Sequence, residues 1–259
     1  GRRRGAGRGG SGLNRTAGAP DFNQRLRFLQ SPAAHAGHAG PQAAVQTIET
    51  HMSWLFSVGE HVLKLKKTVH YPYLDFSTLA AREFCCREEM RLNSRLAPGV
   101  YLGLFVLHWD GARLALLPES ARPAFDGVID WLVLMRRLPR ALMLDALIAS
   151  GSVSTAQVDS LADVLIAFYR RLPPVDVTGR DYVARFAQEQ AINRNVLLRP
   201  QFGLSQAPRA LDRMDATLHR HAALLRERAD ARHIVEGHGD LRPEHVCMLL
   251  PPVVIDALE

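Results

Sequence analysis

No run of eighteen or more uninterrupted apolar residues occurs in the 259-residue chain, so the sequence signature of a transmembrane helix is missing. A charged start followed by an apolar stretch is missing as well, Gly1 onward being Arg/Gly-rich, so no secretory leader is expected. These absences predict a non-secreted, cytoplasmic protein with no membrane partner. Cysteine is scarce: Cys85 and Cys86 are adjacent on a predicted helix and cannot easily bridge, and Cys247 is the third. That usage suits a reducing compartment, with the thiols serving as small apolar filler. Acids are nearly absent from the start of the chain. There Arg2, Arg3, Arg4, Arg8, Arg15, Arg25 and Arg27 face only Asp21, and without that tail the net charge of +6 falls to near neutral. Binding to a phosphate backbone is therefore a property of the tail at most, a solvated arm is the preferred reading, and nucleic acid is not expected as a partner. An organellar transit peptide is a lesser alternative. The chain opens on Gly1 rather than Met, which reads as a fragment or as misassigned upstream residues.

What the chain does have is enough apolar sequence, 47% of its residues, for a real core. Residues 1–43 are rich in Gly, Ala, Pro and Arg, with a weak helical hint near Phe22 to Leu29, and are expected to be mostly disordered. From Val45 the character changes. Trp54 to Phe56 and His61 to Leu65 alternate around Val58-Gly59-Glu60 and read as a β-hairpin. After Tyr71-Pro72-Tyr73, Ser77 reads as the N-cap of a helix running to about Leu96 and closed by Ala97-Pro98-Gly99. Tyr101 to His108 and Arg113 to Leu117 form a second strand pair, and Asp130 to Leu138 a further strand ending at Pro139. Helical patterns follow over Ala141 to Ala149, Thr155 to Leu172, Asp181 to about Asn195 and Ala207 to Arg232. A short strand pair, Val246 to Leu250 and Val253 to Asp256, turns at Pro251-Pro252. There is no internal repeat. The expected organisation is a disordered tail (1–43), a sheet lobe (44–138) and a mainly helical lobe (139–259), joined near Met135 to Pro139 with a cleft between the lobes.

The strongest local signal is His238-Gly239-Asp240-Leu241-Arg242-Pro243-Glu244-His245, followed by the strand pair ending in Ile255-Asp256. Two acids sixteen residues apart mean little in themselves. Antiparallel pairing about Pro251-Pro252, however, folds the chain back so that Asp256 returns close to His245 and to the loop holding Asp240. Phosphoryl transfer uses such a cluster, with one carboxylate to orient or deprotonate the acceptor hydroxyl and another to hold magnesium on the nucleotide phosphates.

At these residues the chain resembles the aminoglycoside phosphotransferase and choline-kinase-like branch of the protein-kinase fold, whose catalytic loop is usually written HGDLxxxN. Upstream, Glu49 to Trp54, Lys64 to Lys67, Leu74 to Leu79 and Leu92 to Pro98 look like a bacterial subgroup of uncharacterised phosphotransferase-like proteins, and the resemblance covers roughly residues 45–259. It implies an α+β, bilobal protein-kinase-like fold: an N-terminal mixed antiparallel sheet lobe with one helix, then a mainly helical C-terminal lobe that continues past Glu259. It also implies ATP and Mg2+ as cofactors, a small-molecule hydroxyl as acceptor, and in some members a following P-loop domain, a motif this sequence lacks.

Carried over residue by residue, the resemblance makes Asp240 the catalytic base and Asp256 the magnesium ligand. Lys64, on a predicted strand, would bind phosphate, with Lys66 on the same face as its substitute. Glu89, seven residues before Leu96, would pair with that lysine, with Glu88 the neighbouring alternative. Main-chain groups around Leu134 to Arg137 would meet the adenine. Ser53 and His51, on the first hairpin, would cover phosphates, although that hairpin has no GxGxxG and a structural role stands equal. His238 is expected to brace the loop by hydrogen bonding. The plainer alternatives are a solvated strand edge for Lys64, Lys66 and Lys67, and a solvated helix face for Glu88 and Glu89. Arg136 and Arg137 read as a surface charge pair.

One departure bears on chemistry. The position of the family's loop asparagine, a ligand of nucleotide and metal, is His245, and imidazole is a poor substitute for an amide oxygen on magnesium. The leading expectation is transfer of the ATP γ-phosphate to a small-molecule hydroxyl; the alternative is a nucleotide-binding or scaffold domain with little or no turnover.

Overall fold

The computed structural model describes residues 18–40, 44–71, 74–123 and 127–258. Most of the arginine-rich start and the Pro72-Tyr73 part of the aromatic loop lie outside the described residues. The chain divides into two compact units, one formed by Gly1–Leu161 with Gly239–Glu259 and the other by Ala162–His238.

The first unit is built on a six-stranded antiparallel sheet. Its strands are β1 (Val45–Glu49), β2 (Ser53–Val58), β3 (His61–Lys66), β6 (Tyr101–Trp109), β7 (Leu114–Pro118) and β8 (Val128–Arg136), in the order β1-β2-β3-β8-β6-β7. A separate two-stranded ribbon, β4 (His70–Tyr71) and β5 (Leu74–Asp75), follows β3. Strand alternation sends neighbouring side chains to opposite faces. One face carries Phe56, Leu63, Leu65, Phe105, Leu107 and Leu132. The other carries Tyr101, Leu104, Val106, Trp131, Val133 and Met135. Both faces are apolar, so both need a cover.

Helix α3 (Leu79–Asn93) and the final strand pair, β9 (Val246–Cys247) and β10 (Val253–Val254), supply one cover. Thr78 is the N-cap of α3, accepting from the Ala81 N–H at 3.1 Å, one residue beyond the expected Ser77. The other cover comes from the segment expected to be disordered. Residues 22–29 form helix α1 (Phe22–Leu29), followed by the one-turn helix α2 (Ala36–Ala39). In a reciprocal capping box, Asp21 accepts from the Gln24 N–H and Gln24 Oε1 accepts from the Asp21 N–H, each at 2.8 Å. Leu29 is wholly buried against the sheet with Phe56, Leu63 and Leu65, burial worth about 2 kcal/mol. The expectation of a disordered tail is thus corrected for residues 18–40: composition suggested a solvated arm, but Leu26, Phe28 and Leu29 answer the sheet's second apolar face.

After α4 (Leu144–Ala149), helix α5 (Thr155–Arg171) leads into the second unit, where α6 (Gly179–Leu197) and α7 (Ala207–Asp230) pack together. The helices approach closely where α6 begins: a Cβ on Gly179 would lie 2.8 Å from Arg226 backbone atoms, and the Gly179 N–H donates to Asp230 Oδ1. Arg194 bridges to Asp212 and Asp215 between the same two helices. The architecture is mixed α+β, with seven α-helices among the described residues. None of the described helices is long and apolar enough to cross a membrane.

Candidate active site

Strand β3 presents Leu63 and Leu65 to one face and Lys64 and Lys66 to the other, toward α3. The two ammonium groups share one carboxylate. Lys64 Nζ lies 2.8 Å from Glu89 Oε1, and Lys66 Nζ lies 2.8 Å from Glu89 Oε2. Glu89 has no exposed surface, and the Lys66 side chain is 1% exposed, with its ammonium also over the Phe76 ring. The solvated-edge and solvated-face readings therefore fail for Lys66 and Glu89. Glu88 instead pairs with Arg91 on the exposed side of α3, which removes it as the lysine's partner.

Lys64 reaches further. Its Nζ also lies 2.7 Å from Asp256 Oδ1, a residue 192 positions away in the chain. Asp256 adopts a left-handed backbone at φ 58°, a conformation uncommon outside glycine but one that aspartate tolerates better than most L residues when its surroundings favour it. Here they do. The Asp256 N–H donates to the Tyr101 hydroxyl at 3.2 Å, the Ala257 N–H donates to Asn93 Oδ1 at 2.8 Å, and the Ile255 N–H donates to the His245 carbonyl at 2.9 Å. Asn93 in turn donates to the Glu89 carbonyl one turn back on α3. The turn holding Asp256 and the helix holding Glu89 are thereby fastened together. Asn93 and Tyr101 were not singled out from sequence; the spacing of Asn93, four residues after Glu89 and so on the same helix face, was the available signal.

Electrostatics agree with the geometry. Burial pushes the Glu89 carboxyl upward, but Lys64 and Lys66 overcome this and hold it below its usual value. For Asp256, burial is again opposed by Lys64, with His245 and Lys66 adding, and the carboxyl is held low. Tyr101 is pushed well up by burial and by the nearby Glu89 and Asp256 charges, so its hydroxyl stays protonated.

The loop carrying Asp240 meets this cluster through His245, which is buried. His245 Nδ1 lies 2.8 Å from the Asp240 carbonyl, and His245 Nε2 lies 3.9 Å from Asp256 Oδ2. Gly239 has φ 85°, and a Cβ there would stand 2.8 Å from the Leu258 side chain, so glycine is required both for the turn and for the close approach. Arg242, unremarked in the sequence reading, contacts Asp240 Oδ1 at 3.1 Å, His245 Nε2 at 3.0 Å and Glu244 Oε1 at 3.0 Å. His238 is buried.

The Arg136 and Arg137 N–H groups donate to the Val100 and Glu60 carbonyls, both at 2.7 Å, so these two amides are committed to the fold rather than presented to a base. Ser53 is buried opposite Lys66, its N–H tied to Thr50 Oγ1, and it is not among the groups drawn together by the Glu89 and Asp256 ion pairs. His51 stacks on Tyr71.

No three His, Cys, Asp or Glu side chains among the described residues gather as a ready-made metal cage. The carboxylates of Asp240 and Asp256 lie on either side of the His245 ring, at 3.7 Å from Nδ1 and 3.9 Å from Nε2.

No protein-family model matches the chain. It is similar to uncharacterised proteins of Mycobacterium tuberculosis and Mycobacterium bovis, 27% identical over 216 residues that make up 82% of this chain and 41% of each relative. The chain thus spans about two fifths of the length of the curated relatives it matches.

Proposed function

We propose that this domain is an ATP-dependent phosphotransferase of the protein-kinase-like bilobal fold, related to the aminoglycoside phosphotransferases, acting on a hydroxyl of a small molecule. One observation carries the reading: Lys64 holds Glu89 at 2.8 Å and Asp256 at 2.7 Å. A strand lysine, a helix glutamate and a late aspartate in mutual contact form the set that positions nucleotide phosphates in this chemistry. In that role Glu89 fixes the direction of the Lys64 ammonium, and Lys64 meets the phosphates as a point charge. Magnesium, when bound with the nucleotide, neutralises charge on the phosphate oxygens. Asp256 holds its carboxylate ready for that ion, and Asp240, 39% exposed, accepts the proton of the acceptor hydroxyl. The purified chain is expected to consume ATP in the presence of an acceptor, with Asp240→Ala reducing kcat at least a thousandfold, on the order of 4 kcal/mol of transition-state stabilisation. Unchanged turnover in that variant refutes the assignment.

A second reading is a nucleotide-binding domain with little turnover. It is favoured by the Arg242 guanidinium, which occupies Asp240 Oδ1 at 3.1 Å and competes with an incoming hydroxyl. A thermal shift with ATP and magnesium but no phosphate release with any acceptor selects this reading.

A further inference from the structure

Three histidines gather where residues 22–39 cross the sheet. His35, in the 3-10 turn Pro32–His35 between α1 and α2, has no exposed surface. Its Nε2 lies 2.7 Å from the Leu29 carbonyl at the end of α1. A carbonyl only accepts, so the hydrogen is on Nε2 and the lone pair is on Nδ1. That lone pair receives the hydrogen of His38 Nε2 from α2 at 3.3 Å. The His38 ring in turn makes T-shaped contacts with Phe105 of β6 and His61 of β3, at centroid distances of 5.3 and 6.1 Å. One chain of contacts thus runs from the last turn of α1 through α2 to two strands, and both hydrogen bonds in it use neutral imidazoles.

The groups set around these rings do not welcome a proton. His38 faces His35 and His61, and the register partner of His61 on β8 is Arg136, already a cation. β6 presents Phe105, and β7 presents Leu114 and Leu116. Glu60 precedes His61 in the turn from β2 but is exposed there, and among the described residues none of the three histidines pairs with a carboxylate. Burial, with His35 and His61 adding, holds His38 down to about 4, and burial holds His35 below its ordinary value. A proton on His35 Nδ1 sets donor against donor at the His38 contact. We propose that the His35, His38 and His61 cluster is an acid-released clasp: proton uptake by its imidazoles detaches residues 22–39 from the sheet while the strands stay paired, uncovering the apolar face of Phe56, Leu63, Leu65 and Phe105. The docked segment binds protons less readily than the freed one, so docking is full above about pH 6.5 and weakens as pH falls toward about 4. The clasp acts on the sheet face opposite Lys64 and Lys66 and stands apart from the phosphotransferase reading.

The test is amide hydrogen exchange of the full chain from about pH 7.5 to about pH 5, with rates corrected for the intrinsic pH dependence of exchange. Residues 22–39 should open about thirtyfold more often at the acid end, the effect of one imidazole held at about 4 instead of about 6.5. Strands β2, β3 and β8 should keep their protection. His38→Gln still offers an amide N–H to His35 Nδ1 but takes up no proton, so most of that rise should vanish. Arg25→Ala cuts the segment's other tether, the contact with Asp130, and should speed exchange at every pH while leaving the rise in place. Four results overturn the proposal: exchange of residues 22–39 that ignores acid, opening of the strands together with them, an undiminished rise in His38→Gln, or a rise abolished by Arg25→Ala.

Discussion

Glu89 and Asp130 are both buried carboxylates, each meeting two basic side chains, yet burial has opposite outcomes for them. Glu89 receives two lysines at 2.8 Å, one on each oxygen, and is held below its usual value. Asp130 on β8 receives Arg82 of α3 at 2.7 Å, but its second partner, Arg25 of α1, stands at 3.5 Å. There burial prevails and the carboxyl is pushed up. Two contact ion pairs overcome desolvation where one close pair and one loose pair do not. The difference separates two jobs: Glu89 is charged and poised beside Lys64, whereas Asp130 joins α1, β8 and α3 as a structural brace.

Removing each charge is the strongest way to break the comparison. Glu89→Gln leaves the buried Lys66 ammonium without its carboxylate, and Asp130→Asn does the same to Arg82; each should cost about 3–5 kcal/mol in urea unfolding. Only Glu89→Gln should also lower ATP turnover, by about a hundredfold in kcat/KM. Equal loss of turnover in both variants would erase the functional distinction.

Acid sharpens the contrast. The Glu89 carboxyl sits low in the fold, so its contribution is present above the unfolded value of about 4 and fades as pH falls through the lower folded value. Asp130 sits high, so its contribution is full below about 4 and lost as pH rises through its folded value. Between about pH 3 and 6, the stability advantage of the unmodified chain over Glu89→Gln should shrink on acidification, and the advantage over Asp130→Asn should grow. Differences of the same sign, measured by denaturant unfolding across that range, would contradict the two pKa directions.

The smallest effect belongs to Arg25→Ala. Its side chain is 23% exposed and its contact with Asp130 is long, so a loss of about 1 kcal/mol is expected, with faster amide exchange over residues 22–29. No change in that exchange would detach α1 from the brace.

Much of the first unit was readable in advance because its signals are local. Alternation in Trp54 to Phe56 and His61 to Leu65 announced β2 and β3, whereas Glu89 was selected by the family resemblance, through its spacing from Leu96. The same alternation held an unread clue. The run Trp131-Leu132-Val133-Leu134-Met135 is apolar at odd and even positions alike, so β8 had to be covered on both faces. Residues 18–40 supply the second cover, which glycine- and arginine-rich composition concealed. Lys66 was read as a substitute for Lys64; burial and the second Glu89 oxygen give it a different task, holding the carboxylate that orients its neighbour. Main-chain groups around Leu134 to Arg137 were expected to meet the adenine, and a sequence does not reveal that two of them, the Arg136 and Arg137 N–H groups, are taken by the Val100 and Glu60 carbonyls.

By itself the sequence determined the elements and the short-range candidates: a strand with Lys64 and Lys66 on one face, a helix bearing Glu89, and a loop with Asp240 ahead of a turn to Asp256. Only the tertiary structure decided that Lys64 divides its ammonium between Glu89 and Asp256, that Asn93 and Tyr101 hold the Asp256 turn, and that His245 faces Asp256 with Nε2. The reason is that periodicity and capping are set by neighbours a few residues apart. A contact between residues 64 and 256 depends instead on how two apolar sheet faces find their covers, and that is settled by packing over the whole unit.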